Sequence, residues 1–203
     1  MKLRKWQGGL FFAVVLVLGI VLVQQLLSRG EGTPVAREDG GGSIAPSEAE
    51  TKGTGARLAE GPVVGAVAPD FALQGLDGHT YRLSDRMGEI PVVINFWASW
   101  CPPCKTEAPD LVQLYSKYHG KVEIFAVNLT MSDTVEDAKK FVEQYGYQFP
   151  VLLDDKGEVG LQYQAYSIPT SYFIDRTGRI RNKMIGITTP DRLEQMFVDL
   201  MKS

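Results

Sequence analysis

Cysteine and histidine are the scarce residues of this chain. There are two of each in 203 residues. Two cysteines can make only one bridge, so a disulfide framework is excluded as the source of the fold. A structural zinc site needs four ligands. The four available are Cys101, Cys104, His79 and His119, and His79 reads as part of a hairpin and His119 as a helix end. No metal site is expected. Basic runs are also missing, and outside residues 1–29 acids outnumber bases by 24 to 17. An acidic domain with no basic stripe excludes nucleic-acid binding. Internal repeats are absent too.

Residues 1–29 contain Lys2, Arg4, Lys5 and Arg29 and no acid. An apolar stretch runs from Gly8 to Val23, and Gln24-Gln25-Leu26-Leu27 extends it. About 20 residues are enough to cross the hydrocarbon core. A cleaved signal peptide is the rival reading. Only Pro34-Val35-Ala36 approaches a small-x-small cleavage site, and no cysteine lies nearby for a lipid anchor. The expectation is an uncleaved signal anchor over residues 8–27. The basic residues 1–7 stay in the cytoplasm and the rest of the chain lies outside the cell membrane. Residues 28–62 are rich in Gly, Ser, Pro, Glu and Ala and read as a flexible linker. A globular pattern starts at Val63 and runs to Ser203.

The two cysteines sit in Trp100-Cys101-Pro102-Pro103-Cys104, directly after the apolar run Val92-Val93-Ile94-Asn95-Phe96-Trp97. A strand feeding a C-x-x-C at a helix start is the arrangement of a dithiol/disulfide redox centre. A ring this short gains little loop-closure entropy, which argues for a reactive pair over a structural staple.

The pattern around the pair predicts an α/β sheet covered on both faces. Phe71–Leu73 and His79–Leu83 read as extended pieces joined at Asp77-Gly78. Ser84-Asp85 reads as a cap before a short helical turn. Pro91–Ala98 and Val122–Asn128 read as buried strands. Helices are expected over 102–118, with Pro109 kinking it, over 134–145, and as a short piece over 158–163. Strands follow at 150–153, 171–175 and 180–185. A closing helix over 191–201 carries Leu193, Met196, Phe197 and Leu200 on one face. Tyr145, Tyr147, Phe149, Tyr163 and Tyr166 read as core and edge packing. Asp154-Asp155 reads as a turn.

Disulfide exchange needs a thiolate. At a helix start, free backbone N–H groups and the helix dipole favour charge on the Cys101 sulfur. Cys104, one turn inside, is expected to be the shielded, resolving thiol. Pro102 and Pro103 are tolerated because first-turn positions have no intrahelical donor to lose. Glu107 lies three residues after Cys104, about 60° away around the helix. It can either take part in proton transfer with the buried thiol or complement the helix dipole from the solvent side. Trp97 reads as core. Trp100 reads as a cover for the sulfur and an apolar surface for a substrate. From base rates alone the Ile168–Pro169 bond is expected to be trans.

The stretch Phe96-Trp97-Ala98-Ser99-Trp100-Cys101-Pro102-Pro103-Cys104-Lys105, with Ile168-Pro169-Thr170 downstream, resembles the thioredoxin superfamily. Gly65-Ala66-Val67-Ala68-Pro69-Asp70-Phe71, Leu76-Asp77-Gly78 and Leu83-Ser84-Asp85 narrow the resemblance to the membrane-anchored TlpA/ResA-like thiol–disulfide oxidoreductases. It covers essentially all of residues 63–203. It implies a thioredoxin-like fold with an N-terminal β-hairpin extension and a helix–strand insertion around residues 133–153. It implies that Cys101 attacks and Cys104 resolves, and that Pro169 is a cis-proline facing the disulfide. It also implies that Glu107 is an active-site glutamate. Trp100, Pro102, Pro103 and Ile168 become the substrate-facing rim. Ordinary thioredoxins carry a buried aspartate six residues before the first cysteine. Here that position is Asn95, which cannot ionise, so Glu107 is the group left to handle protons.

The resemblance implies a dithiol reductant with no cofactor beyond its own redox disulfide. Its expected partners are a membrane thiol electron donor and the disulfides of exported client proteins, apocytochrome c among them. A monomer is expected. Two other functions compete. Peroxiredoxins share the Ala68-Pro69-Asp70-Phe71-like opening, but the proline expected shortly before their reactive cysteine is missing here. Copper carriers of related fold use a longer cysteine spacing and a later histidine, and no histidine follows His119.

Overall fold

The computed structural model describes residues 60–203. The expected cytoplasmic terminus, the membrane anchor and all of the linker before residue 60 lie outside the described residues. The sheet has seven strands: β1 (Ala72–Gly75), β2 (Thr80–Arg82), β3 (Val92–Trp97), β4 (Glu123–Asn128), β5 (Val151–Leu153), β6 (Thr170–Ile174) and β7 (Ile180–Ile185). Their order is β2-β1-β5-β4-β3-β6-β7. β3, β4 and β5 are parallel neighbours. β6 runs antiparallel to β3, and β7 to β6. At the other end β1 runs antiparallel to β5, and β2 to β1. Parallel neighbours need crossovers, and helices supply them. α1 (Pro102–Tyr118) links β3 to β4, and α2 (Val135–Tyr145) links β4 to β5. α3 (Glu158–Gln162) precedes β6, and α4 (Pro190–Met201) closes the chain.

Every residue of β3 is buried, as a central strand covered on both faces requires. Its alternation feeds two cores. Val93 and Trp97 join Leu111, Leu114, Phe141, Leu193, Phe197 and Leu200 under α1, α2 and α4. Val92, Ile94 and Phe96 join Leu83, Leu152, Tyr163 and Tyr172 on the opposite face. Asn95 falls between Val93 and Trp97 in the same alternation, so a strand period of two turns it toward the α1 side.

The helix ends follow their sequence signals. The Thr134 side chain accepts from the Asp137 N–H at the start of α2, and Gly146 ends the helix at φ 72. Only glycine takes that left-handed conformation without a Cβ penalty. Thr189 caps α4 in the same way, with Pro190 following it. α1 continues unbroken past Pro109.

Two readings of the sequence need correction. Tyr166 is not packing: it is 77% exposed, between buried Ala165 and the loop before β6. Asp154 is more than a turn residue. It is fully buried, and its carboxylate accepts from the N–H of Val159 at 3.3 Å and of Gly160 at 2.7 Å. It thereby satisfies two free donors at the start of α3. Asp154→Ala leaves both unpaired and is expected to lower stability by about 2 kcal/mol. Urea unfolding of the two proteins at neutral pH measures it.

Candidate redox site

The site lies where β3 ends and α1 begins. Cys101 is the residue before the first helical turn, at φ −81 and ψ 111. Its sulfur lies 3.2 Å from the Cys104 N–H, which points at it. Pro102 and Pro103 fill the first helical positions and lose no donor there. Cys101 and Cys104 form a disulfide. Both residues are nearly fully buried.

The strand register brings the second part of the site to the first. Phe96 pairs with Thr170, so the loop before β6 lies beside the end of β3. The Ile168 carbonyl oxygen sits 3.6 Å from the Cys101 sulfur. The Ile168–Pro169 peptide is cis, as the family resemblance implies and the base rate does not. Trp100 is 54% exposed, and its indole N–H donates to the Ser132 carbonyl at 2.8 Å. The ring is therefore held in place while most of it faces solvent. Pro102 is exposed, and Pro103 and Ile168 are half-buried. Trp97 is fully buried against Phe141, with ring centroids 4.5 Å apart.

Glu107 does not point to water. The buried residues of α1 are Cys104, Glu107, Ala108, Leu111 and Leu114, a single stripe at helical spacing. Glu107 is 4% exposed. Its Oε2 accepts from the Asn95 amide at 2.9 Å, and the same amide nitrogen donates to the Ser171 hydroxyl at 2.9 Å. Its Oε1 has no hydrogen-bond partner among the described residues. Burial pushes the Glu107 carboxyl up to about 7, against the downward pull of the Asn95 hydrogen bond. Removing a charge from water costs more than one neutral amide returns. A carboxyl that titrates near neutral pH, one turn from a buried sulfur, can both give and take a proton.

Asn95 thus has a positive part in the site. It lies directly across from Ser171 in the β3–β6 register, and it holds the glutamate's inner oxygen. The Val93-Asn95-Trp97 alternation contains the signal for its facing. Ser171 and Asp133 were not legible as site residues, since both approach from distant segments. Asp133 accepts from the Ser99 amide and from the Ser99 hydroxyl, each at 2.6 Å. His79 and His119 stay away from the sulfurs: His79 is exposed and pairs with Asp77, and His119 ends α1. Among the described residues no three His, Cys, Asp or Glu side chains gather closely enough to hold a metal ion.

A family model described as AhpC/TSA family matches residues 64–183. The chain is 43% identical over 142 residues to the thiol-disulfide oxidoreductase ResA of Oceanobacillus iheyensis, covering 68% of this chain and 72% of that protein. It is 38% identical over 133 residues to the ResA of Geobacillus kaustophilus, covering 65% of this chain and 75% of that one. Among solved structures, StoA from Bacillus subtilis superposes with a TM-score of 0.56 at 30% identity, over 64% of this chain and 97% of that chain. The family match spans both cysteines, Glu107 and Pro169.

Proposed function

The chain belongs to the AhpC/TSA family, with a thioredoxin-like fold and thiol-disulfide oxidoreductase chemistry, and from that premise we propose that it is a membrane-tethered reductant of disulfides in exported proteins. The observation that carries the reading is the Cys101–Cys104 disulfide at a helix start, with the buried Glu107 one turn further on. In the reduced protein the Cys101 thiolate attacks one sulfur of a client disulfide. A mixed disulfide forms and one client thiolate leaves. Cys104 then gives its proton to Glu107 and attacks the Cys101 sulfur. The internal disulfide reforms and the second client thiol is released. Two electrons have passed to the client. A thiol donor in the membrane restores the dithiol by the reverse exchange.

The N-terminal apolar segment supports a location on the outer side of the cell membrane. Tethering confines donor, enzyme and client to one surface and raises their effective concentration. The client class we favour is apocytochrome c, whose C-x-x-C-H must be reduced before haem attachment. Trp100, Pro102, Pro103 and Ile168 form the rim that meets it, and the protein acts as a monomer. The test compares the pre-reduced protein with an oxidised C-x-x-C-H peptide and with hydrogen peroxide. Fast stoichiometric peptide reduction with slow peroxide consumption is expected. The opposite ranking would replace the reductase by a peroxidase.

A further inference from the structure

We propose that Asp133 is a positioning residue for the redox loop, gripping Ser99 so that the Cys101 sulfur is held at the start of α1. The inference rests on the reading of Cys101 as the attacking sulfur. Asp133 comes from the loop between β4 and α2, 34 residues from Ser99 in sequence. Its Oδ2 accepts from the Ser99 N–H at 2.6 Å and from the Asn128 amide at 2.8 Å. Its Oδ1 accepts from the Ser99 hydroxyl at 2.6 Å and from the Thr134 N–H at 2.9 Å. Each oxygen serves two donors, and none of the four is a cation. Burial pushes the Asp133 carboxyl up, but the Ser99, Asn128 and Thr134 hydrogen bonds together hold it below the usual carboxylate range.

The same loop ties the redox loop at two further points. The Leu129 N–H donates to the Trp97 carbonyl at 3.0 Å. The Ser132 carbonyl accepts the Trp100 indole N–H at 2.8 Å. Residues 97, 99 and 100 are therefore each fastened just before Cys101. The support is itself anchored. Asn128 is fully buried at the end of β4, and its Oδ1 accepts the Thr130 hydroxyl at 2.9 Å.

Four converging donors require a carboxylate. An asparagine would turn its own NH2 toward two of them, whichever way its amide faced. Charge-assisted hydrogen bonds are the stronger kind, and here two of them fix a residue two positions from the nucleophile. Small misplacements of reacting atoms are costly in rate. A displaced Cys101 sulfur also loses the Cys104 N–H and the helix-end potential that favour its thiolate.

The test uses the reduced full-length protein with Asp133→Asn, and with Ser99→Ala as the milder change. Exchange with oxidised glutathione and Cys101 alkylation across pH are read beside the melting temperature. The ionisable groups of α1 nearest the sulfurs in sequence are Lys105, which is exposed, and Glu107. The alkylation profile is therefore repeated in the Glu107→Gln background. Asp133→Asn is expected to slow exchange roughly tenfold or more and to move the alkylation midpoint upward. Ser99→Ala should shift both in the same direction by less, and the double variant should be no worse than Asp133→Asn alone. Deleting a negative charge without any positioning effect would move the midpoint down. A downward or unchanged midpoint, or a lower melting temperature with unchanged exchange per folded molecule, overturns the proposal. Exchange that persists in Cys101→Ser would instead overturn the functional reading beneath it.

Discussion

Glu107→Gln is expected to make the oxidised protein more stable above pH 7 and slower as a reductant. Burial holds the Glu107 carboxyl at about 7 in the folded protein, against an ordinary 4.5. Below pH 4.5 the group is neutral in both the folded and the unfolded chain and contributes no difference. Between pH 4.5 and 7 the unfolded chain ionises while the folded one keeps its proton. The folded state then binds more protons, so stability falls as pH rises. Above pH 7 the full gap applies, worth about 3 kcal/mol. Glutamine occupies the same space, can accept the Asn95 hydrogen bond and never ionises. Its stability advantage should therefore be absent near pH 4 and should grow to about 3 kcal/mol by pH 8. Denaturant unfolding across that range measures it. The same substitution removes the group proposed to accept the Cys104 proton. The resolving step should slow by about 10²-fold, and its pH profile should lose the inflection near 7. Equal stability at pH 8, or an unchanged rate profile, would mean that Glu107 carries no proton in the cycle.

The second large effect separates the two sulfurs. Cys101→Ser should abolish disulfide reduction, because no thiolate remains at the helix start. Cys104→Ser should keep the first attack and lose the second. Without a resolving thiol the mixed disulfide accumulates, stoichiometric with protein and reversible by dithiothreitol. Turnover with Cys104→Ser should fall to the rate at which an external thiol resolves the adduct. The difference between the variants follows from their placement. Cys101 precedes the first turn of α1 with its sulfur 3.6 Å from the Ile168 carbonyl oxygen, whereas Cys104 lies inside the helix on the stripe it shares with Glu107.

Most of the architecture was legible along the chain because its signals are local. The central strands are continuous apolar runs, and Val92–Trp97 is buried at every position. Thr134, Gly146 and Thr189 punctuate the helices as their chemistry demands. The C-x-x-C pair was legible for the same reason. The cis bond at Pro169 was not, since nothing in the local sequence distinguishes it, and only the family resemblance implied it. Glu107 was open between solvent and core because three residues of helix leave both orientations accessible. Tertiary packing settled it through Asn95. Ser171 and Asp133 reach the site from segments distant in sequence, whereas the role of Asp154 depends on the chain turning back within six residues to bring the first N–H groups of α3 onto its carboxylate. Tyr166 was misplaced by its composition: an aromatic in an apolar neighbourhood reads as core, and the loop before β6 turns it out to solvent.

Everything proposed for the cycle turns on Cys101 as the attacking sulfur and Cys104 as the resolving one. The direct measurement is peptide mapping by mass spectrometry after rapid acid quenching of the reduced wild-type protein mixed with an oxidised C-x-x-C-H peptide. Early adducts are expected on Cys101, decaying into the Cys101–Cys104 disulfide. Adducts found first on Cys104, or a peptide reduced with no covalent adduct to either cysteine, would contradict it.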